Sequence, residues 1–262
     1  MGIPEDKGFT MDRATIEPVI KVLLSEIHAK LNEATRIAKA AEACGLAGSI
    51  SEGVLVSMDI EQLIYDAGRL QNAALRLALI AGNIIAAITF FGGIGFRPDI
   101  VFAMGTTRFL VKFAVTLPLA FAPTAALLRA AQPGASFGVR GWALALSPII
   151  LMSAVLIELV TVPPPLWGSR IMGTHAQNCL TLIPLLSVGP LVCLLFALRK
   201  GASTRPGLAG AIAGLAASGI AATFYATNCT DDSPLFVVTW YPLAAGFVML
   251  IGWFSGLRFL RW

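Results

Sequence analysis

Six apolar runs, each about as long as a membrane-crossing helix, leave this chain few folds to adopt. They cover residues 77–96, 109–128, 142–162, 179–198, 207–227 and 235–257. A helix needs about 20 residues to cross roughly 30 Å of hydrocarbon. Between the runs stand Arg97-Pro98-Asp99, Gln132-Pro133-Gly134, Pro163-Pro164-Pro165, Arg199-Lys200-Gly201 and Asp231-Asp232-Ser233-Pro234, all polar or turn-forming. Backbone groups in lipid must satisfy one another, so the runs predict an all-α, polytopic membrane protein with six transmembrane helices. Charge content agrees: 13% of the 262 residues are charged, against roughly 25% in a soluble domain.

Basic residues in short loops set the expected orientation. With the N-terminus inside, Arg129, Arg140, Arg199, Lys200, Arg205, Arg258 and Arg261 are cytoplasmic, and Arg97, Arg108 and Arg170 are external. That bias of seven to three favours an N-in, C-in arrangement. No apolar run precedes residue 77, so residues 1–76 are expected to remain in the cytoplasm as a helical segment, followed by a transmembrane domain over 77–262.

The first 76 residues carry eight basic and eleven acidic side chains, a net −3, whereas the remainder carries eleven basic and four acidic. Within the segment, Ile16, Val19, Ile20, Leu23, Leu24, Ile27, Leu31, Ile37 and Ala41 recur at helical spacing. They predict an amphipathic helix with a stop at Gly45. A second helix is expected near Asp59, where Asp59 and Gln62 have capping-box spacing. The apolar stripe fits packing on that second helix, burial in a membrane surface, or docking into a partner's groove. Net acidity weighs against anionic lipid and suits a basic partner.

On the expected topology Cys179 and Cys229 share the external face, as exposed thiols outside their spans. Such a pair fits a disulfide, or capture of a soft metal if kept reduced. Asp231 and Asp232 lie close to Cys229, where their charge raises a thiol pKa and assists a cation. Two thiols are too few for a tetrahedral ion, so His175, Asp231 or Asp232 are the candidate further ligands. A plain structural disulfide, or burial of one thiol as a small apolar group, are the alternatives. Cys193 reads as packing within the fourth span, and Cys44 lies in the cytoplasmic segment.

Among intramembrane residues, Gly207, Gly210 and Gly214 with Ala213 and Ala217 predict close helix packing. Lys112 stands near enough to a span end to snorkel. Glu158 is open to three roles: an interfacial pair with Arg170, a metal-facing group or another function. His28 and His175 are far apart, and neither a metalloprotease helix, a phosphate loop nor a Gly-x-Ser-x-Gly elbow is present, which excludes the familiar enzyme patterns.

The Arg97-Pro98-Asp99 turn, the Arg205-Pro206 entry to the fifth run, the stretch Asn228-Cys229-Thr230-Asp231-Asp232-Ser233-Pro234-Leu235-Phe236 before Trp240, and the ending Arg258-Phe259-Leu260-Arg261-Trp262 resemble the NrsF family. The resemblance spans roughly residues 73–262. It implies a bacterial inner-membrane anti-sigma factor acting on an extracytoplasmic-function (ECF) sigma factor of the sigma F type. It further implies that a cytoplasmic N-terminal segment sequesters the sigma factor, and that a pair of extracytoplasmic cysteines, here Cys179 and Cys229, responds to heavy-metal or oxidative stress. The N-terminal part is longer than the family's and lacks its Pro-rich approach to the first span. The expected partners are an ECF sigma factor and the lipid bilayer, with no direct nucleic-acid contact and no cofactor beyond a transient heavy-metal ion; of oligomeric state the sequence says nothing. The rival reading is a small transporter or channel with a structural periplasmic disulfide, which predicts an internal repeat and midplane charges that this chain lacks.

Overall fold

The computed structural model describes residues 13–130, 138–199, 201 and 205–260, and every regular element among them is helical. Contacts divide the chain into two compact units, the first ending at Ala74 and the second beginning at Leu75.

In the first unit, α1 (Arg13–Leu46) and the N-terminal part of α2 (Ile50–Gly93) form a helical hairpin. Ile27, Ala34 and Ala67 are buried, and Lys30 reaches Asp66 at 3.1 Å. Close approach is made possible by Gly53, where a Cβ would stand 3.0 Å from the Ala41 carbonyl oxygen. The turn between the helices uses Gly48 at φ +84°, with Ser49 N–H donating to the Cys44 carbonyl at 2.9 Å. The left-handed region suits glycine because no Cβ opposes it. The first helix therefore passes Gly45 by one residue. The second starts nine residues before Asp59, which is an exposed residue inside α2. Ser49 and Glu52 hold the same capping-box spacing at the true start, and Glu52 complements the dipole of the first turn.

The second unit continues α2 and adds α3 (Ile100–Ala103), α4 (Thr107–Ala130), α5 (Leu146–Thr161), α6 (Trp167–Met172), α7 (Ala176–Leu198), α8 (Pro206–Ala226) and α9 (Pro234–Phe259). A 3₁₀ stretch, Gly138–Ala145, leads into α5. Six of these segments are long and apolar enough to cross a membrane: α2, α4, the stretch Trp142–Thr161, α7, α8 and α9. Five of them match an apolar run to within about three residues at either end, whereas α2 begins 27 residues before the first run and ends three residues short of it.

The most enclosed helix is α8, packed by α4, α7 and α9. Its small residues explain this, because they let backbones meet directly. A Cβ on Gly214 would stand 2.6 Å from the Val248 carbonyl oxygen, and one on Gly219 would stand 2.5 Å from Leu119 of α4. Gly210 and Gly252 face each other's carbonyls with no room for a methyl group. On α5, by contrast, Ile149, Met152, Leu156 and Val160 are exposed at three- and four-residue spacing, a face suited to lipid. The two situations separate in one comparison. Gly252→Ala should lower stability in detergent by about 1–3 kcal/mol, whereas Gly246→Ala on the same helix, where nothing lies within 4 Å, should be neutral or slightly stabilising by thermal unfolding.

Candidate functional site

Helices that cross a layer in alternation bring every second connection to the same end. Here those connections are 94–106, 162–175 and 227–233. They hold three of the four acidic residues beyond position 76, Asp99, Asp231 and Asp232, and the fourth, Glu158, lies in the last turn of α5 just before 162–175. Hydrogen bonds bind the three connections together. Arg97 N–H donates to the Thr227 carbonyl at 3.2 Å, and Asn228 Nδ2 donates to the Gly95 carbonyl at 3.0 Å. On the other side, Trp240 Nε1 donates to the Ile171 carbonyl at 2.8 Å.

The centre of this end is an ion-paired lock around Asp232. Lys112 of α4 is wholly buried and places Nζ 2.6 Å from Asp232 Oδ1. Arg97 Nη1 lies 2.9 Å from Asp232 Oδ2, while its Nε and Nη2 grip Asp99 at 2.7 and 2.8 Å. Both cations also donate to one backbone acceptor, the carbonyl of Cys229, at 2.8 Å from Lys112 and 3.2 Å from Arg97. The hydrogen bonds to Asp99 raise the Arg97 pKa against the opposing effect of burial, and those same bonds lower the Asp99 carboxyl. Lys112 therefore does not snorkel. Its ammonium is spent on an internal carboxylate, because a buried charge requires a counter-charge and hydrogen bonds.

The other two acids hold helix ends. Glu158 is buried, pairs with Arg170 at 2.8 Å and Arg108 at 3.6 Å, and accepts from Ser233 Oγ at 2.8 Å and Leu235 N–H at 3.1 Å. A carboxylate at the start of α9 satisfies an otherwise open N–H and complements the helix dipole. Of its three expected roles, the pair with Arg170 is the one found. Asp231 accepts from Thr174 N–H at 2.9 Å and His175 N–H at 2.8 Å where α7 begins, and its Oδ2 lies 3.3 Å from His175 Nδ1. Gly173, at φ +56°, makes this possible, since a Cβ there would stand 2.8 Å from Asp231 Oδ2 and 2.5 Å from the Phe236 ring.

Beneath the lock lie the two thiols. Cys179, in the first turn of α7, is 0% exposed and Cys229 is 1% exposed. Both belong to one core with Ile183, Tyr225, Phe236 and Tyr241. The expectation of exposed thiols is thus corrected: the loop carrying Cys229 folds inward because Lys112 and Arg97 pull its carbonyl to them. Cys179 and Cys229 are both thiols, with no disulfide between them. Burial is the main cause that raises the Cys229 pKa, opposed by the Lys112 charge and by a bond to the Asp231 backbone, with the Asp231 charge only a smaller addition. The side chains of Tyr225 and Tyr241 are buried in the same core.

The structure gathers Cys179 with Cys229 but does not complete the candidate ligand set. Among the described residues no three His, Cys, Asp or Glu side chains stand around a common ion position. Asp232 is committed to Lys112 and Arg97, while Asp231 and His175 are committed to each other and to the start of α7. Of the apolar stripe on α1, Ile27 is buried, Leu23, Leu24 and Leu31 are half-buried, and the side chains of Ile16, Val19 and Ile20 lie outside the described residues. Lys112 and Arg97 are the residues whose part in the site sequence reading missed, Lys112 having been expected to snorkel. The one available signal was that every acid of the spanning region falls in, or within one turn of, a connection at a single end.

Two outcomes follow from this geometry. Asp232→Asn leaves Lys112 buried without its counter-charge and should cost about 3–5 kcal/mol, while joint replacement by Lys112→Met and Asp232→Leu should recover most of it in thermal unfolding. Because the folded Cys229 pKa is raised, its thiolate is scarce at neutral pH. Iodoacetamide labelling of Cys229 should be slow at pH 7, should keep rising with pH beyond the ordinary thiol range, and should be markedly faster in Asp232→Asn.

A family model described as negative regulator of sigma F matches residues 67–262. The anti-sigma-F factor NrsF of Caulobacter vibrioides (strain NA1000 / CB15N) is 35% identical over 210 residues, covering 78% of this chain and 97% of that relative. A probable anti-sigma-F factor NrsF of Azospira oryzae (strain ATCC BAA-33 / DSM 13638 / PS) is 30% identical over 207 residues, with the same coverage. No solved structure matches the chain. The ion-paired connections and both buried thiols fall inside the matched region, and on that match the chain belongs to the NrsF family, the negative regulators of sigma F.

Proposed function

We propose that the chain is an inner-membrane anti-sigma factor that holds an ECF sigma factor on a cytoplasmic N-terminal unit and releases it when Cys179 and Cys229 react. The observation that carries the reading is the match to negative regulators over residues 67–262, with a relative named an anti-sigma-F factor. The orientation proposed is N-in, C-in. It is supported by the basic residues: Arg129, Arg140, Arg199, Lys200, Arg205, Arg258 and Arg261 belong to the other end, against Arg97, Arg108 and Arg170 in or beside the connections at the thiol end.

The thiols supply the input. Peroxide would take two electrons and two protons from them, leaving a disulfide and two waters; on capture of a soft cation both thiols would lose their protons and bind as thiolates. Two sulfur donors suit a thiophilic ion of low coordination number, because the nearby carboxylates are already engaged. Reaction at Cys229 disturbs a backbone whose carbonyl is held by both Arg97 and Lys112. Arg97 and Gly95 follow directly on α2, and α2 is one continuous helix whose N-terminal part belongs to the first unit. A change in the 227–233 connection therefore has a covalent and hydrogen-bonded route to the unit proposed to hold the sigma factor. The signal must bind or form better in the releasing state, and a coupling of about 1–3 kcal/mol is sufficient for release of 5- to 150-fold.

The test uses the full chain in nanodiscs with a purified sigma factor of the sigma F type. Wild type should bind it, and cadmium or peroxide should release it. Cys179→Ser and Cys229→Ser should each bind but fail to release. Release that persists in both single variants contradicts the thiol sensor, and absence of binding by wild type contradicts the anti-sigma reading.

A further inference from the structure

The two thiols share one core, yet their surroundings differ. Cys229 stands one helical turn beyond Tyr225 at the end of α8, and its N–H donates to the Tyr225 carbonyl at 3.0 Å, as does the Asn228 N–H at 2.9 Å. Residues four apart on such a turn lie on one face, and the two side chains are each 1% exposed. The Tyr225 hydroxyl is thereby a hydrogen-bonding partner of the Cys229 sulfur. The Cys229 S–H itself donates to the Asp231 carbonyl at 3.8 Å, which leaves the sulfur lone pairs to accept from Tyr225. Lys112 of α4 adds a charge, because its ammonium is fixed 2.8 Å from the Cys229 carbonyl oxygen and acts on the sulfur of the same residue. Cys179 of α7, Tyr241 of α9, and Asp231 of the connection also face this sulfur.

Cys179 is placed differently. It lies in the first turn of α7, where a helix dipole favours a thiolate. The N–H groups of Thr174 and His175 at that start are already bonded to the Asp231 carboxylate, and the same negative charge acts on Cys179. A sulfur that attacks peroxide carries negative charge, and in a buried site the donors fixed beforehand decide which of two thiols reacts.

We propose that Cys229 is the thiol that attacks peroxide, with the Tyr225 hydroxyl as the hydrogen-bond donor to its sulfur, and that Cys179 is the thiol that closes the disulfide. This rests on the thiol-sensor reading above. In the first step the Cys229 sulfur forms a bond to one peroxide oxygen as the O–O bond breaks. The departing hydroxide takes the Cys229 proton and leaves as water, and the sulfur is oxidised to a sulfenic acid. In the second step the Cys179 sulfur attacks that sulfur, the S–O bond breaks, and the hydroxyl leaves as water with the Cys179 proton. Peroxide is reduced by two electrons overall. The order matters for the signal, because the first sulfur to change belongs to the residue whose carbonyl Lys112 and Arg97 hold.

The experiment treats the full chain in nanodiscs with hydrogen peroxide at one neutral pH, follows the disulfide by peptide mass spectrometry and traps sulfenic acid with dimedone. Dimedone should mark Cys229 in Cys179→Ser and leave Cys179 almost unmarked in Cys229→Ser, a comparison that needs no change at Tyr225. Tyr225→Phe, which keeps the ring, should retain helicity by circular dichroism and slow disulfide formation about tenfold. Tyr241→Phe, which removes a hydroxyl from the same core, should stay within about twofold of wild type. A merely structural hydroxyl at Tyr225 would act the other way, since its loss would loosen the core and speed oxidation of both thiols. Equal marking of the two cysteines, or marking of Cys179 alone, overturns the order. Oxidation of Tyr225→Phe as fast as wild type or faster overturns the role of the hydroxyl. If wild type forms no disulfide at all, the oxidant branch of the thiol-sensor reading fails as well, an outcome distinct from a disulfide formed in the opposite order.

Discussion

The buried pair between Lys112 and Asp232 is the interaction on which the rest of the structure depends. An ammonium with no exposure inside a six-helix bundle is tolerable only beside a carboxylate and further acceptors. Asp232 and the Cys229 carbonyl meet that need, so the connection between α8 and α9 is drawn onto α4 and cannot extend outward. Arg97 joins the same acceptors and ties in the end of α2. Glu158 and Asp231 then fix the starts of α9 and α7 to the same place. Burial of both thiols follows from these polar contacts.

Close glycine contacts between α8 and its neighbours give this arrangement a firm base. Backbones that touch without intervening side chains leave little freedom to slide, and direct contact is the main attraction available to helices in lipid. Charged contacts concentrate at one end and small residues fill the interior, so the thiol end has the more breakable interactions. A chemical event there has salt bridges to rearrange, whereas the middle of the bundle has only tight packing.

Much of the fold was legible in the sequence because bilayer physics allows few alternatives. The length and apolarity of the six runs fixed the helices, and Pro and polar residues marked their ends. Small residues at Gly210 and Gly214 signalled contact correctly for the same reason. The start of α2 was misplaced because Asp59 and Gln62 mimic a cap, while Ser49 and Glu52 do so at the actual start. Pairing between distant residues was harder to see. Lys112 is 120 positions from Asp232, and nothing local distinguishes a lysine that snorkels from one that is buried and paired. The thiols looked exposed for the same reason, since their burial depends on that pair. Crowded acidic residues beside Cys229 suggested a metal site, but three-dimensional contacts assign them to Lys112, Arg97 and the start of α7.

The central claim is that chemistry at Cys179 and Cys229 reaches the N-terminal unit through the 227–233 connection and α2. Hydrogen–deuterium exchange of the full chain in nanodiscs, with and without peroxide, tests it most directly. The account predicts faster exchange in residues 227–235 and 94–99 together with a change in 50–66, all absent in Cys229→Ser. Exchange that changes around 227–235 but leaves 50–66 untouched would contradict it.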